Sequence, residues 1–165
     1  MSMGGDAMTR CLGAMVENKN KSYAINSSFI KKVIGYVLRG LKKTEDIEIE
    51  VIFVDDPAIK KLNKKYKKSD RTTDVLSFGL DAGVFGIKKL VGSVFISLDT
   101  ARSNAKRFGT SFEEEVVLYV IHGILHLVGY DDGTKSEIRR MRSEEKRILE
   151  QICKDGNLSK VLTRP

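Results

Sequence analysis

The sequence predicts an α+β (α/β) domain: a single small mixed sheet of about four strands covered by about five helices, one of them buried on most sides. Three observations lead there. Apolar residues recur at period two within Ile47–Asp56, and two short β-branched and aromatic runs follow downstream. Helix-period stretches precede, separate and follow these runs. At 165 residues and 18.5 kDa the chain suits one domain with a substantial core.

The elements can be justified in order. Met1–Arg10 is small and polar, and the CLGAMV that follows is too short for a signal-peptide core. Residues 1–22 are therefore expected to be a disordered or appended lead, with residues 23–165 forming the single domain. From Ser27 or Ser28 as cap, Ile30, Val33, Ile34, Val37, Leu38 and Leu41 share one helical face. Ile47, Ile49, Val51 and Phe53 then alternate as a strand. Asp56-Pro57 reads as an N-cap with proline at the first helical position, opening a helix with Ile59, Leu62 and Tyr66 inward and lysines outward. Val75–Leu80 and Gly92–Ser97 are strands, with Gly83, Gly86, Lys88 and Lys89 between them in a loop or short hairpin. A helix follows across Thr100–Phe108.

Ser111 and Glu114 form a capping box, and three glutamates in the first turn suit the helix dipole. This next helix is apolar almost all round and stops at Gly129. Thr134 and Glu137 open a last helix that buries Ile138, Met141, Ile148, Leu149 and Ile152.

Composition narrows the function. A 41% hydrophobic and 31% charged chain is ordinary globular material. A net charge of +7 and a pI near 9.4 suit a polyanionic partner. Cys11 and Cys153 lie far apart, which indicates neither a disulfide framework nor a thiolate metal site and fits a reducing cytoplasm. The longest apolar run, around Val116–Val128, is too short to span a bilayer, so no membrane partner is expected.

The two histidines of the chain, His122 and His126, both sit in that run. Random placement would set them four apart about once in eighty trials, and the i, i+4 spacing turns both toward one point on a helix. Burying two unpaired imidazoles would be costly. A metal pair is therefore the stronger reading against two core histidines bonded to backbone. Gly123 leaves room for a close approach beside the first ligand. After the turn at Gly129, the Tyr130-Asp131-Asp132 segment can swing a carboxylate back to a third position. Zincin peptidases place glutamate as general base right after the first histidine; Gly123 stands there, which weighs against a peptidase.

His122–Asp132, HGILHLVGYDD, resembles the signature of the YbeY family, bacterial metal-dependent endoribonucleases of ribosomal RNA maturation, with the pattern His-Gly-x-Leu-His-Leu-x-Gly-Tyr-Asp-His. Leu62–Phe78, LNKKYKKSDRTTDVLSF, is similar to the family's Leu-Asn-x-x-Tyr-Arg-x-x-Asp-x-x-Thr-Asp/Asn-Val-Leu-Ser-Phe, and SFEEEVVLYVIHG matches the segment before the histidines. The resemblance runs from about Ile47 to about Arg147. It implies an α/β fold and one bound divalent metal, zinc in the family. It also implies a single-strand-specific endoribonuclease acting in 16S rRNA 3′ end maturation and ribosome quality control, with single-stranded RNA, rRNA and the ribosome as partners and no DNA.

Three departures fall in the expected active region. Asp132 stands where the family has its third histidine ligand, giving a His122, His126 and Asp132 metal set; Asp131 is the fallback ligand or a supporting partner. Lys67 replaces an arginine associated with RNA cleavage, keeping the charge but not the two-pronged fork. Gly92-Ser93 replaces Gly-Asp. Lys67 is thus the expected catalytic side chain, within a basic stretch of Lys60, Lys61, Lys64, Lys65, Lys68 and Arg71 suited to an RNA backbone or simply to a solvated helix face. A non-catalytic metal-stabilised RNA- or ribosome-binding module and a metallohydrolase on another substrate are the alternatives.

Overall fold

A computed structural model describes residues 11–41, 46–81 and 89–163. The order is β1 (Cys11–Asn18), α1 (Ser27–Gly40), β2 (Asp46–Val54), α2 (Asp56–Lys67), β3 (Val75–Asp81), β4 (Lys89–Ser97), α3 (Leu98–Phe108), α4 (Phe112–Leu127), α5 (Lys135–Asp155) and a short 3-10 turn at Leu158–Val161. The four strands form one mixed sheet in the order β1-β2-β4-β3. β1, β2 and β4 are parallel, while β3 runs antiparallel on β4 at the edge. This is the α+β layer arrangement expected of the chain.

The fourth strand corrects one expectation. β1 pairs along β2 from Cys11–Ile47 to Asn18–Phe53, so the domain starts inside the segment read as a lead, of which Met1–Arg10 lies outside the described residues. Asn18 and Asn20 tie down the chain beyond it: Asn18 Nδ2 donates to the Tyr23 carbonyl at 2.7 Å, and Asn20 Nδ2 donates to the Val54 carbonyl and to the Asp99 carboxylate Oδ1, both at 3.2 Å. The proposed loop at Gly83, Gly86 and Lys88 also lies outside the described residues.

Several element ends move by a residue or two because side-chain caps decide them. Asn26, not Ser27 or Ser28, caps α1 by accepting from Phe29 N. Asp55 caps α2, and Asp56 becomes a first-turn residue beside Pro57. Ser97 caps α3 through Thr100 N. Ser111 accepts from Glu114 N at 3.0 Å in α4, whereas both halves of the box form in α5 between Thr134 and Glu137.

The alternation in β2 separates two cores. Ile47, Ile49, Val51 and Phe53 join Val94, Ile96 and Val75 under α1 and α4 in the main core, closed by Met141, Ile148 and Ile152 of α5. On the other face Ile52, Val54 and Leu76 meet Ile59 of α2, with Phe78 and Phe95 packed against them. Tyr66, expected inward, is largely exposed and lays its ring 5.1 Å from Phe78. No helix among the described residues is long and apolar enough to cross a membrane.

Candidate metal centre

Helix α4 lies directly on the sheet because two of its residues let it. A Cβ on Gly123 would fall 2.3 Å from Val94 Cγ1 and 3.1 Å from Val75 Cγ1. Four residues on, Leu127 covers Gly92, where a Cβ would meet its Cδ1 at 2.6 Å. Ser77 Oγ donates to the Gly123 carbonyl at 2.9 Å and pins the helix to β3. The close approach that Gly123 allows is thus that of the sheet. His122 and His126, one position earlier in each turn, are carried to the side of that contact, partly exposed at 23% and 27%.

The helix ends in a Schellman arrangement. Gly129 takes φ +100°, Gly129 N donates to the His126 carbonyl at 3.2 Å and Tyr130 N to that of Leu125 at 3.0 Å. This reversal returns the chain toward the histidines. Their Nε2 atoms are 3.0 Å apart, and Asp132 Oδ2 is 3.6 Å from that of His126 and 3.9 Å from that of His122. Four tetrahedral ligands at zinc distances would be about 3.3 Å from one another, so these three edges bracket what one small cation requires. Asp131 goes elsewhere: its Oδ1 accepts from Asp132 N at 2.8 Å, which steadies the loop that presents Asp132.

The other side of His122 meets a residue the sequence reading missed. His122 Nδ1 is hydrogen-bonded to Glu145 Oε1, whose side chain is only 13% exposed on α5. Burial by itself lowers the His122 pKa, but that bond and the charges of Glu145, Asp74 and Asp132 together hold it above the ordinary imidazole value. A proton kept on Nδ1 leaves Nε2 with its lone pair toward His126 and Asp132. The signal was present in α5: Glu145 occupies a place in the inward stripe Met141, Glu145, Ile148, Ile152. Asp74, at the start of β3, was likewise missed; it lines the same cleft as His122, and its Oδ1 caps Val75 N at 2.8 Å.

Lys67 is not drawn into this cluster. It ends α2, which packs on the opposite sheet face, and it is exposed with no hydrogen bond or ion pair to a described residue. The chain from Lys68, in the left-handed region at φ 54°, leads from there to Asp74. Within the basic stretch, Lys60 and Lys64 approach Asp70 at 4.0 and 3.9 Å. Ser93 faces away from the histidines, its Oγ 3.4 Å from Glu50 Oε2. The change from Gly-Asp at Gly92-Ser93 therefore lies on the other face of the sheet from the His122 cluster, the face that α2 covers.

Fold and site together define a class: an α+β protein whose buried helix carries a His-x3-His pair, closed by an aspartate into a set able to hold a divalent cation. Comparison with known proteins narrows it. Residues 15–153 match the family model of endoribonuclease YbeY. The Desulforamulus reducens endoribonuclease YbeY is 36% identical over 149 residues, covering 86% of this chain and 97% of the relative. The Aquifex aeolicus protein of the same name is 43% identical over 110 residues, 66% of this chain and 73% of the relative. The solution structure of TM1509 from Thermotoga maritima superposes with a TM-score of 0.59 at 28% identity, covering 86% of this chain and 90% of that one. The chain belongs to the endoribonuclease YbeY family, whose members are hydrolases that act on RNA.

Proposed function

We propose that this protein is a single-domain, single-strand-specific endoribonuclease of the cytoplasm, with one divalent ion, zinc by its donor set, held by His122, His126 and Asp132. Its substrate is ribosomal RNA at the 3′ end of 16S rRNA, met on the ribosome, where the same cleavage serves ribosome quality control. The observation that carries the reading is the convergence of two Nε2 atoms and one carboxylate oxygen at separations of 3.0, 3.6 and 3.9 Å. Its partner is the name shared by relatives at 34–43% identity.

What the ion supplies when bound is Lewis acidity toward a phosphodiester oxygen and an acidified water. The chain does the rest. Glu145 fixes the tautomer and tilt of His122. Asp131 holds the backbone that presents Asp132. Lys67, exposed at the end of α2, neutralises charge on the phosphate, and the other exposed lysines of α2 guide the RNA backbone.

The test combines metal analysis with cleavage of a single-stranded RNA, with and without chelator. About one ion per chain, cleavage lost on chelation and restored by zinc, and neither ion nor cleavage in His126→Ala are expected. RNA bound but never cut by metal-loaded protein would make this a binding module instead.

A further inference from the structure

We infer that the cleft beside the His122 cluster is a nucleobase subsite, which takes one unpaired base of the RNA next to the phosphate at the metal centre. The inference rests on the endoribonuclease reading above and adds which part of the substrate the cleft receives. The cleft measures about 450 Å³ and shares His122 and Asp132 with the metal centre, so whatever fills it is a neighbour of the reacting bond. Its charge excludes phosphate. Asp74, Glu115, Asp132 and Glu145 line it against Arg142, and a phosphate there would face four carboxylates.

A base fits the same walls. Every nucleobase has an N–H donor on its pairing edge and a flat apolar face. Acceptors are at hand in the carboxylates and in Asn104, which spends Nδ2 on Tyr119 Oη at 2.6 Å and keeps its Oδ1. Tyr119 stays neutral, because burial raises its pKa well above the usual phenol value. At the rim stands Phe108, the last residue of α3 and 62% exposed, an aromatic ring that folding leaves largely without cover. The Arg107 guanidinium sits 5.3 Å from its centroid, placing a cation at the rim, outside the acidic interior, where the flanking backbone would pass. An exposed ring with a cation beside it and an acidic pocket behind it is the arrangement of a stacking platform for single-stranded nucleic acid.

The test is steady-state cleavage of a short single-stranded oligoribonucleotide by metal-loaded protein, repeated with one base-free ribose moved along the chain. At one fixed position relative to the cut, loss of the base should raise KM about tenfold, the scale of one base–aromatic stack. Phe108→Ala should raise KM by a similar factor on the intact RNA, keep its metal content, and show no further loss with the base-free substrate. Phe108→Trp should restore the parent KM. Cleavage by the parent that is indifferent to every base-free position, or to Phe108→Ala, overturns the subsite while leaving the endoribonuclease reading intact. A metal-loaded parent that cleaves no RNA overturns both.

Discussion

Gly123→Ala isolates the contact on which the whole centre rests. The new Cβ would sit 2.3 Å from Val94 Cγ1, and an ordinary carbon contact is about 3.5–4.0 Å, so helix and sheet must separate locally by more than about 1 Å. Val94 is buried with no exposed surface, in the middle of β4, and has nowhere to turn. Overpacking of this kind costs about 1–3 kcal/mol, and the better helix propensity of alanine returns up to about 1 kcal/mol. The net loss should be about 0–2 kcal/mol, or up to about 8 °C in Tm for a chain of this size. The larger effect falls on the metal. Ligand distances tolerate about 0.2 Å, whereas the His122–Glu145 bond joins the displaced α4 to α5. Zinc affinity, measured by competition with a chromophoric chelator, should fall at least about tenfold, as for loss of an outer hydrogen bond to a ligand. Val94→Ala removes the clashing methyl, so the double variant should be more stable than the sum of the single changes by about 1 kcal/mol or more. Additivity within about 0.5 kcal/mol, or Gly123→Ala with parental zinc affinity, would refute the reasoning.

Four further outcomes are expected. Glu145→Gln should weaken zinc binding about 10–100-fold, read by the same chelator competition. In metal-free protein, folding raises the His122 pKa, so the folded chain holds that proton more tightly than the unfolded one. That stabilisation is full below the ordinary imidazole pKa and fades as pH rises through the raised value; urea melts across that range should show the slope in the parent and a smaller one in Glu145→Gln. Asp132→Ala should lose most zinc affinity and Asp131→Ala less, since Asp131 acts through the Asp132 amide, while Asp132→His should keep or raise it; metal titrations that rank the alanine variants the other way pass the ligand role to Asp131. Lys67→Ala should slow RNA cleavage without changing metal content, and Lys67→Arg should preserve or increase the rate through its two-pronged phosphate contact; equal rates in parent and Lys67→Ala would remove Lys67 from the site.

Much of the fold was legible because its signals are local. The face Ile30, Val33, Ile34, Val37 and Leu38 and the alternation Ile47, Ile49, Val51 and Phe53 are buried as their periods require. β1 was not legible. Its alternation is short and weak, with Ala14 and Val16 only partly buried and Met15 exposed, and what makes it a strand is pairing with β2, more than thirty residues away. Tyr66 misled for a related reason. Helical period places it on the inner face of α2, but near the end of that helix its ring meets Phe78 of the edge strand β3 at 5.1 Å and otherwise stays largely exposed. Caps shifted by a residue at Asn26 and Asp55 because neighbouring polar residues compete for the same amides, and side-chain geometry decides between them.

The candidate site divides along the same physical line. His122 and His126 meet by helix geometry alone, and Asp132 joins them through a turn that Gly129 announces, so all three are legible within eleven consecutive residues. Glu145 bonds to His122 and Asp74 acts on it through its charge, each from another element, and nothing in their own neighbourhoods states a partner. Yet Glu145 left a trace, a carboxylate in the buried register of Met141, Ile148 and Ile152, where burial without a partner would be costly. The apolar character of α4 follows from its task. One side of the helix must lie flush on the sheet through Gly123 and Leu127 so that the next can hold two imidazoles still. With the proposed ligand set, packing at Gly123 and metal affinity at His122 are therefore two readings of one contact. That is why a methyl group added on the sheet side, touching no ligand, should be felt at the metal.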